Sequence, residues 1–441
     1  MTTSLETLPI ELVEYIVTFL DVRDIASFRL TSRNLESKAS QGHFKGFFTE
    51  KEIILTAERL QNMVHVMGRG RLGCLLQHCI ISGVAEPQIS STFDIAECQG
   101  LLTKAFSFLK QRSATGGLVS LSFCIIVLTQ RVGDGTFEVG SLPSWTEIWA
   151  AALHTFEITM AALSESQLLV YDHLDLFGYV SSCSLNYNAF LHLTRNIPSM
   201  GVFHHLKTLI LSLSSPHDAT EQTLAQETAI YGLSQSWHVA LTFRGILRMI
   251  ESMPELEVLH LHWYSLPHDA CTTLVQPTIS LDCSIHPPTT TRLKECSVRG
   301  LHTSESDLLY FIKALNPAAL ILADVCLISG TYASIFEHLT NPDTPMTQYF
   351  IDDIFEYGNL VHFDTQGTPK FRYRGVDMGP SLLARHTTHL KEPIRYSFTS
   401  RRPVGNRERR RWLEHKVREF GPSEDLVRDF IRLNGLVPVG R

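Results

Sequence analysis

Charge, long apolar runs and paired cysteines are what this 441-residue chain has least of. Charged residues make up 19% and the net charge is −7, so composition gives no general pull towards nucleic acid or an anionic membrane. The longest apolar run, LVSLSFCIIVL at 118–128, is far too short to span a bilayer. The opening MTTSLETLPI lacks a basic segment, and Glu11 and Glu14 break the apolar stretch behind it, so no secretory leader is expected. Nine cysteines are scattered singly without a CxxC, and no asparagine lies in an N-x-[ST] sequon. The scattered cysteines are expected to be free thiols in a reducing compartment, cytoplasm or nucleus, and the missing sequons fit that compartment. GxxxxGK[ST], HExxH and GxSxG are all missing, and no catalytic constellation, cofactor or membrane segment is expected.

Several suggestive features come with a bland reading beside the sharp one. Gly68-Arg69-Gly70-Arg71-Leu72-Gly73 fits GxGxxG, but a helical stretch precedes it and a strand-like one follows. A dinucleotide site needs the reverse order, so a turn is expected. His204-His205 and His260/His262 show no Cys, Asp or Glu at metal-binding spacing, and no metal site is expected. Asp172, Asp175, Asp352 and Asp353 read as isolated carboxylates. The basic run from Arg401 to Arg418 has three readings: a solvated helix face, a nuclear-import signal or a nucleic-acid contact.

What is present begins at LPIELVEYIVTFL, residues 8–20. On a helix, Glu11, Glu14, Thr18 and the following Asp21 fall in one stripe roughly 80° wide. The apolar residues spread over roughly 220°, whereas a helix lying on one core needs about 100°. Asp24 is expected to cap a second short helix, IASFRL, and Thr31 or Ser32 a third, RNLESKAS. Three short helices in about forty residues form a unit that is marginal alone. Two-sided burial resolves this, and the second side is either the rest of the chain or a separate partner.

The ordered set Leu8-Pro9-Ile10-Glu11-Leu12, Ile16, Leu20, Asp21-Val22-Arg23-Asp24-Ile25, Phe28-Arg29-Leu30-Thr31-Ser32-Arg33 and Leu35 resembles an F-box. The resemblance covers residues 5–48 and implies a three-helix unit that docks on the Skp-type adaptor of a cullin–RING ubiquitin ligase. Carried over by position, the adaptor-facing residues are Leu8, Pro9, Ile10, Leu12, Ile16, Leu20, Ile25, Leu30 and Leu35. Thr31 stands where many members have valine and Phe44 where many have tryptophan; both are expected to soften the far edge of the contact. The stretch at 47–81 also resembles filamentous-fungal F-box proteins.

Beyond residue 50, helices alternate with short apolar strands. LKTLIL (206–211), LEVLHL (256–261), LKECSV (293–298) and LILADV (320–325) share apolar or small residues at relative positions 1, 4 and 6, and LVSLSF (118–123) is a weaker copy. Helical segments at 243–253 and 306–315 precede two of them. The expected fold is mixed: an all-α three-helix F-box at 1–50, an α/β irregular leucine-rich-repeat-like solenoid at 51–345, and a C-terminal region at 346–441 with the basic run and a terminal helix at 422–435. An ordinary α/β domain is the alternative. Loops are expected at 214–223, 266–280 and 285–291, and the segment 341–353 is expected to close the repeats.

The functional expectation is a non-catalytic substrate receptor with an unidentified protein target, reaching cullin and RING protein through the adaptor. Two rivals are an adaptor-binding scaffold outside any ligase and a nucleic-acid binder using the arginine run.

Overall fold

The computed structural model describes residues 5–69, 72–85, 94–127, 145–178, 184–187, 190–191, 201–217, 240–267, 292–357, 359–367 and 379–398. The basic run, the terminal helix at 422–435 and the loop segments 218–223, 268–280 and 285–291 lie outside them.

The N-terminal helices are α1 (Ile10–Val17), α2 (Val22–Leu30), α3 (Arg33–Ala39) and the short α4 (Gly42–Gly46). Pro9 stands at the N-cap of α1, where its missing N–H costs no intrahelical bond. The second helix starts three residues before the expected IASFRL. Its cap is Asp21, not Asp24: the Asp21 carboxylate accepts from the backbone N–H of Arg23 and Asp24, both at 2.8 Å. Ser32 caps α3 by accepting from Leu35 N–H at 3.2 Å. Val13, Val17, Ile25, Leu35, Ala39 and Phe44 form a small separate core.

An α/β region with a large sheet follows. Its first part comprises β1 (Glu50–Ile54), α5 (Ala57–Arg69), β2 (His78–Ala85), α6 (Ile95–Arg112), β3 (Gly117–Val127), α7 (Trp145–Ser166) and β4 (Leu169–Leu176). Then come β5 (Leu185–Asn186), β6 (Thr208–His217), a helix α8 at 240–251, β7 (Val258–Pro267), β8 (Glu295–Arg299) and β9 (His302–Ser304). The remaining elements are α9 (Glu305–Leu315), β10 (Ala319–Ala323), β11 (Cys326–Ser329), α10 (Ala333–Thr340), β12 (Gln348–Asp352), β13 (Phe355–Glu356), β14 (Asn359–Phe363), β15 (Leu382–His386) and β16 (Tyr396–Phe398).

The large sheet runs β1-β2-β3-β4-β6-β7-β8-β10-β12-β15, with β5 attached to β6. Chain order and spatial order coincide along this path. Every pairing on it is parallel except the last, where β15 lies antiparallel to β12. The sheet therefore continues past residue 345. The edge strand β1 exposes Glu50, Lys51 and Glu52, charges that discourage pairing with another chain.

Register explains the recurring hexamers. Cys79, Leu121, Leu174, Leu209, Leu259, Cys296, Leu320 and Tyr349 are successive partners and are buried, as are Ile81, Phe123, Leu176, Leu211, Leu261, Val298, Leu322 and Ile351. These are positions 4 and 6. The alignment of LILADV is corrected by this pairing. Leu320 partners Cys296 and so holds position 4, and its unit begins three residues earlier, at Pro317. A further unit, unmarked by LxxLxL, sits at β12.

At one end of the region the units acquire a second strand. Gly300, Asp324 and Asp353 follow β8, β10 and β12 with φ of +74°, +59° and +47°. This left-handed backbone turns the chain a corner into β9, β11 and β13. Gly and Asp are residues that tolerate it. The corners stack: Gly300 N–H donates to Ala323 O and Asp324 N–H to Asp352 O, each at 3.0 Å. A second sheet results, ordered β16-β14-β13-β11-β9. No described helix is long and apolar enough to cross a membrane.

Candidate functional site

Two surfaces stand out: the outer side of the N-terminal helices, and the face of the large sheet opposite its leucine ladders. On α1, Val13 and Val17 turn inward and Leu20, just past the helix, packs beside them. Leu12, Tyr15 and Phe19 fall on an arc about 60° wide on the far side of the helical path. Their exposures are 50%, 64% and 71%, and Tyr15 and Phe19 meet edge to face with centroids 5.0 Å apart. Ile10, Val22 and Leu30 are exposed too, Leu30 at 88%. Large apolar side chains grouped on the outside of so small a unit make this a candidate docking surface.

The sequence-derived residues divide accordingly. Pro9, Ile10, Leu12 and Leu30 are exposed, and Leu8, Ile16 and Leu20 are half-buried. Ile25 and Leu35 differ from the rest in burial. At 0% and 4% exposure they are interior, packed with Val13, Val17, Ala39 and Phe44, and hold the helices together. Phe44 is likewise interior. The Arg29 guanidinium lies 4.1 Å from its ring centroid, and Phe48 packs on it at 5.1 Å. Tyr15, Phe19 and Val22 were absent from the expected set. The helical wheel carries the signal for the first two, because both lie on the apolar arc that α1 does not turn towards its own core.

The module is tied down at both ends. Lys38 Nζ donates to Glu6 O and Leu8 O at 2.8 and 2.7 Å, fixing the segment before α1 onto α3. After α4, Thr49 O accepts from Gln77 and His78 N–H, both at 2.8 Å, where the chain enters β1. A cavity of about 540 Å³ lies at this junction, lined by Phe48, Ile53, Met63, Val66, Met67 and Leu72 among others.

The second surface is polar. On strands β4, β7 and β8 it carries His173, His260, His262, Glu295 and Arg299, with Asp175 and Ser297 on the same face but buried. His260 Nε2 lies 2.8 Å from Glu295 Oε1. Burial, then the charges of Arg299 and His260, lower the His262 pKa to about 4, so its imidazole is neutral at neutral pH. His173 is lowered by burial and by His260.

The carboxylates read as isolated have partners. Asp172 accepts from Lys207 Nζ at 2.7 Å, Asp175 from Gly178 N–H at 2.6 Å, and Asp353 from Ser381 Oγ at 2.7 Å. They serve a strand pair, a turn and a corner. His204-His205 also gain a partner from elsewhere in the chain, Glu255. Of the GxGxxG stretch, Gly68 and Arg69 end α5, and β2 follows at His78, the helix-first order. The described cysteines 74, 79, 98, 124, 296 and 326 form no disulfide with one another, and burial pushes Cys79 and Cys296 up to about 12, which makes them inert packing groups.

A helical docking unit joined to a larger α/β region is the class these observations define. The family model described as F-box domain matches residues 5–45. Residues 5–45 are therefore an F-box domain. No curated protein matches the chain.

Proposed function

We propose that the chain is the substrate-receptor subunit of an SCF-type ubiquitin ligase. The observation that carries this reading is the coincidence of the F-box match with an apolar surface that the described residues leave uncovered: Leu12, Tyr15, Phe19 and Leu30. A Skp-type adaptor would bury that surface and bring cullin and RING protein with it. Ile10, Leu8, Pro9, Ile16 and Leu20 border or support the same contact. The receptor performs no chemistry of its own; holding a target beside the charged conjugating enzyme raises effective concentration.

The α/β region is, in this reading, an irregular leucine-rich-repeat-like solenoid. Support comes from the identity of chain order and strand order, the two continuous ladders at positions 4 and 6, and the three stacked corners. Such a scaffold presents one sheet face and its loops to another protein. The polar face around His260, Glu295 and Arg299 is the proposed target surface.

The test is purification from cells of the full chain and of a chain lacking residues 1–45, which leaves the Thr49 hydrogen bonds of β1 intact. The reading expects the shortened chain to lose adaptor and cullin together and to keep its other partners. Recovery of adaptor without cullin by the full chain would favour a scaffold outside the ligase. Loss of adaptor and all other partners at once, from a folded chain, would contradict two separate surfaces.

A further inference from the structure

The turns leading into β6 and β7 bring together three side chains with metal-ligand chemistry. Thr208 partners Val258 in the sheet, so the residues three positions earlier, His205 and Glu255, occupy the same rung of adjacent units. Neighbouring parallel strands stand about 4.8 Å apart, which places the two side chains next to each other. His204 adds a second imidazole from the same turn. One ligand atom from each of His204, His205 and Glu255 lies within 4.8 Å of the other two, and all three residues are exposed. The central ring is held on two sides: His205 Nδ1 is 2.9 Å from Glu255 Oε1, and its plane stacks on Tyr171 with centroids 5.9 Å apart at 26°. Tyr171 is fixed in turn by donating its hydroxyl to Thr115 O at 2.7 Å. The ring of His204 meets that of His205 edge to face at 5.0 Å. Lys207, a nearby cation, is engaged by Asp172 at 2.7 Å.

We propose that His204, His205 and Glu255 form a surface site for a borderline transition-metal dication of the Zn²⁺ type. Two imidazoles and one carboxylate suit zinc, nickel or copper; calcium and magnesium prefer all-oxygen sets. Tetrahedral bonds of 2.0–2.1 Å need donor atoms about 3.3 Å apart. Small side-chain rotations in an exposed turn close the difference. Three protein ligands leave a fourth position for water or for a donor from a docked protein. The site lies on the strand-entry side of β6 and β7, away from the N-terminal helices, and does not depend on the ligase reading.

The experiment is a Zn²⁺ titration of the chelator-treated full chain by calorimetry, with Co²⁺ absorption as a report on coordination. The proposal expects one specific site with visible Co²⁺ bands. His205→Asn and Glu255→Gln should each weaken Zn²⁺ binding at least about tenfold. His389→Asn, which removes an exposed histidine paired with Glu392 at 2.8 Å elsewhere, should leave it unchanged. Each variant's thermal melt should match that of the metal-free parent. Failure to bind Zn²⁺, or binding that survives both ligand substitutions, overturns the site; zinc held on thiols would behave in the second way.

Discussion

The N-terminal helices and the α/β region solve opposite problems with the same kinds of side chain. The helical module has six buried apolar residues and leaves Leu12, Tyr15, Phe19 and Leu30 outside. The α/β region spends its leucines inward, in ladders where each is covered by the rung before and the rung after. A unit of about forty residues cannot enclose much surface, and a surface it cannot enclose is available to a partner. A region built by adding parallel strands covers its ladder face at every step, and its exposed large apolar side chains, such as Val66, Tyr310 and Tyr357, are scattered along the chain rather than concentrated in one short module. The difference teaches where to look for each kind of partner: an apolar, shape-matched contact on the helices, and a polar, side-chain-specific one on the sheet.

The comparison breaks most visibly in the ladders. Leu259→Ala removes a fully buried side chain from the middle of the sheet and should destabilise the region by about 2–5 kcal/mol, read by thermal or denaturant unfolding. Adaptor capture should survive at temperatures where the variant's sheet remains folded. Ile25→Ala carries a similar cost in a far smaller core, so the module should lose its protection against proteolysis while the sheet's melt stays put. A simultaneous loss of both regions from either variant would show that they fold as one unit.

A sharper, smaller effect is expected at the corner after β8. A Cβ at Gly300 would run into the carbonyl oxygen of Trp263, and its φ of +74° strains any side chain. Gly300→Ala should therefore destabilise the sheet, whereas Gly201→Ala, where a Cβ would meet nothing, should not. Mild acid gives a graded test of the polar face. The folded His262 pKa of about 4 lies below its ordinary 6.5, so the unfolded chain binds the proton first. Stability from this group is complete above about 6.5 and is lost as pH falls from there towards 4. His262→Gln should flatten that part of the stability–pH curve without changing adaptor binding. Breaking the exposed Lys207–Asp172 pair by Lys207→Ala should leave the thermal melt almost unchanged, because solvent screens both charges.

Legibility in the sequence followed the range of the forces involved. The module's helices were legible because caps and apolar periodicity act within a few residues; the one misplaced cap, Asp24 for Asp21, confused two acidic residues a single turn apart. The excess apolar arc of α1 was visible, but its division into inner and outer residues was not. Ile25 and Leu35 look no different in a list from Leu12 and Leu30; only the packing of α1, α2 and α3 sorts them. In the sheet, LxxLxL located β6, β7 and β8 by their ladder positions. It slipped by three residues at β10, where Leu320, Ala323 and Val325 also satisfy the apolar-or-small pattern although Leu320 and Leu322 hold positions 4 and 6. The β12 unit, with Tyr349 and Ile351 in the ladder, has no leucine to announce it. The His204–His205–Glu255 grouping was invisible because its third member comes from the next rung, fifty residues on.

The central claim is that the exposed arc of α1 is an adaptor contact, and the most direct measurement is the Kd of the purified chain for a Skp-type adaptor with and without Leu12→Asp plus Phe19→Asp. Both side chains are already exposed, so the thermal melt should not change. Burying each on a partner is worth about 1.5–3 kcal/mol, and the pair should weaken adaptor binding by well over about tenfold. An unchanged Kd in the folded double variant would contradict the account and move the adaptor contact off this face of the helix.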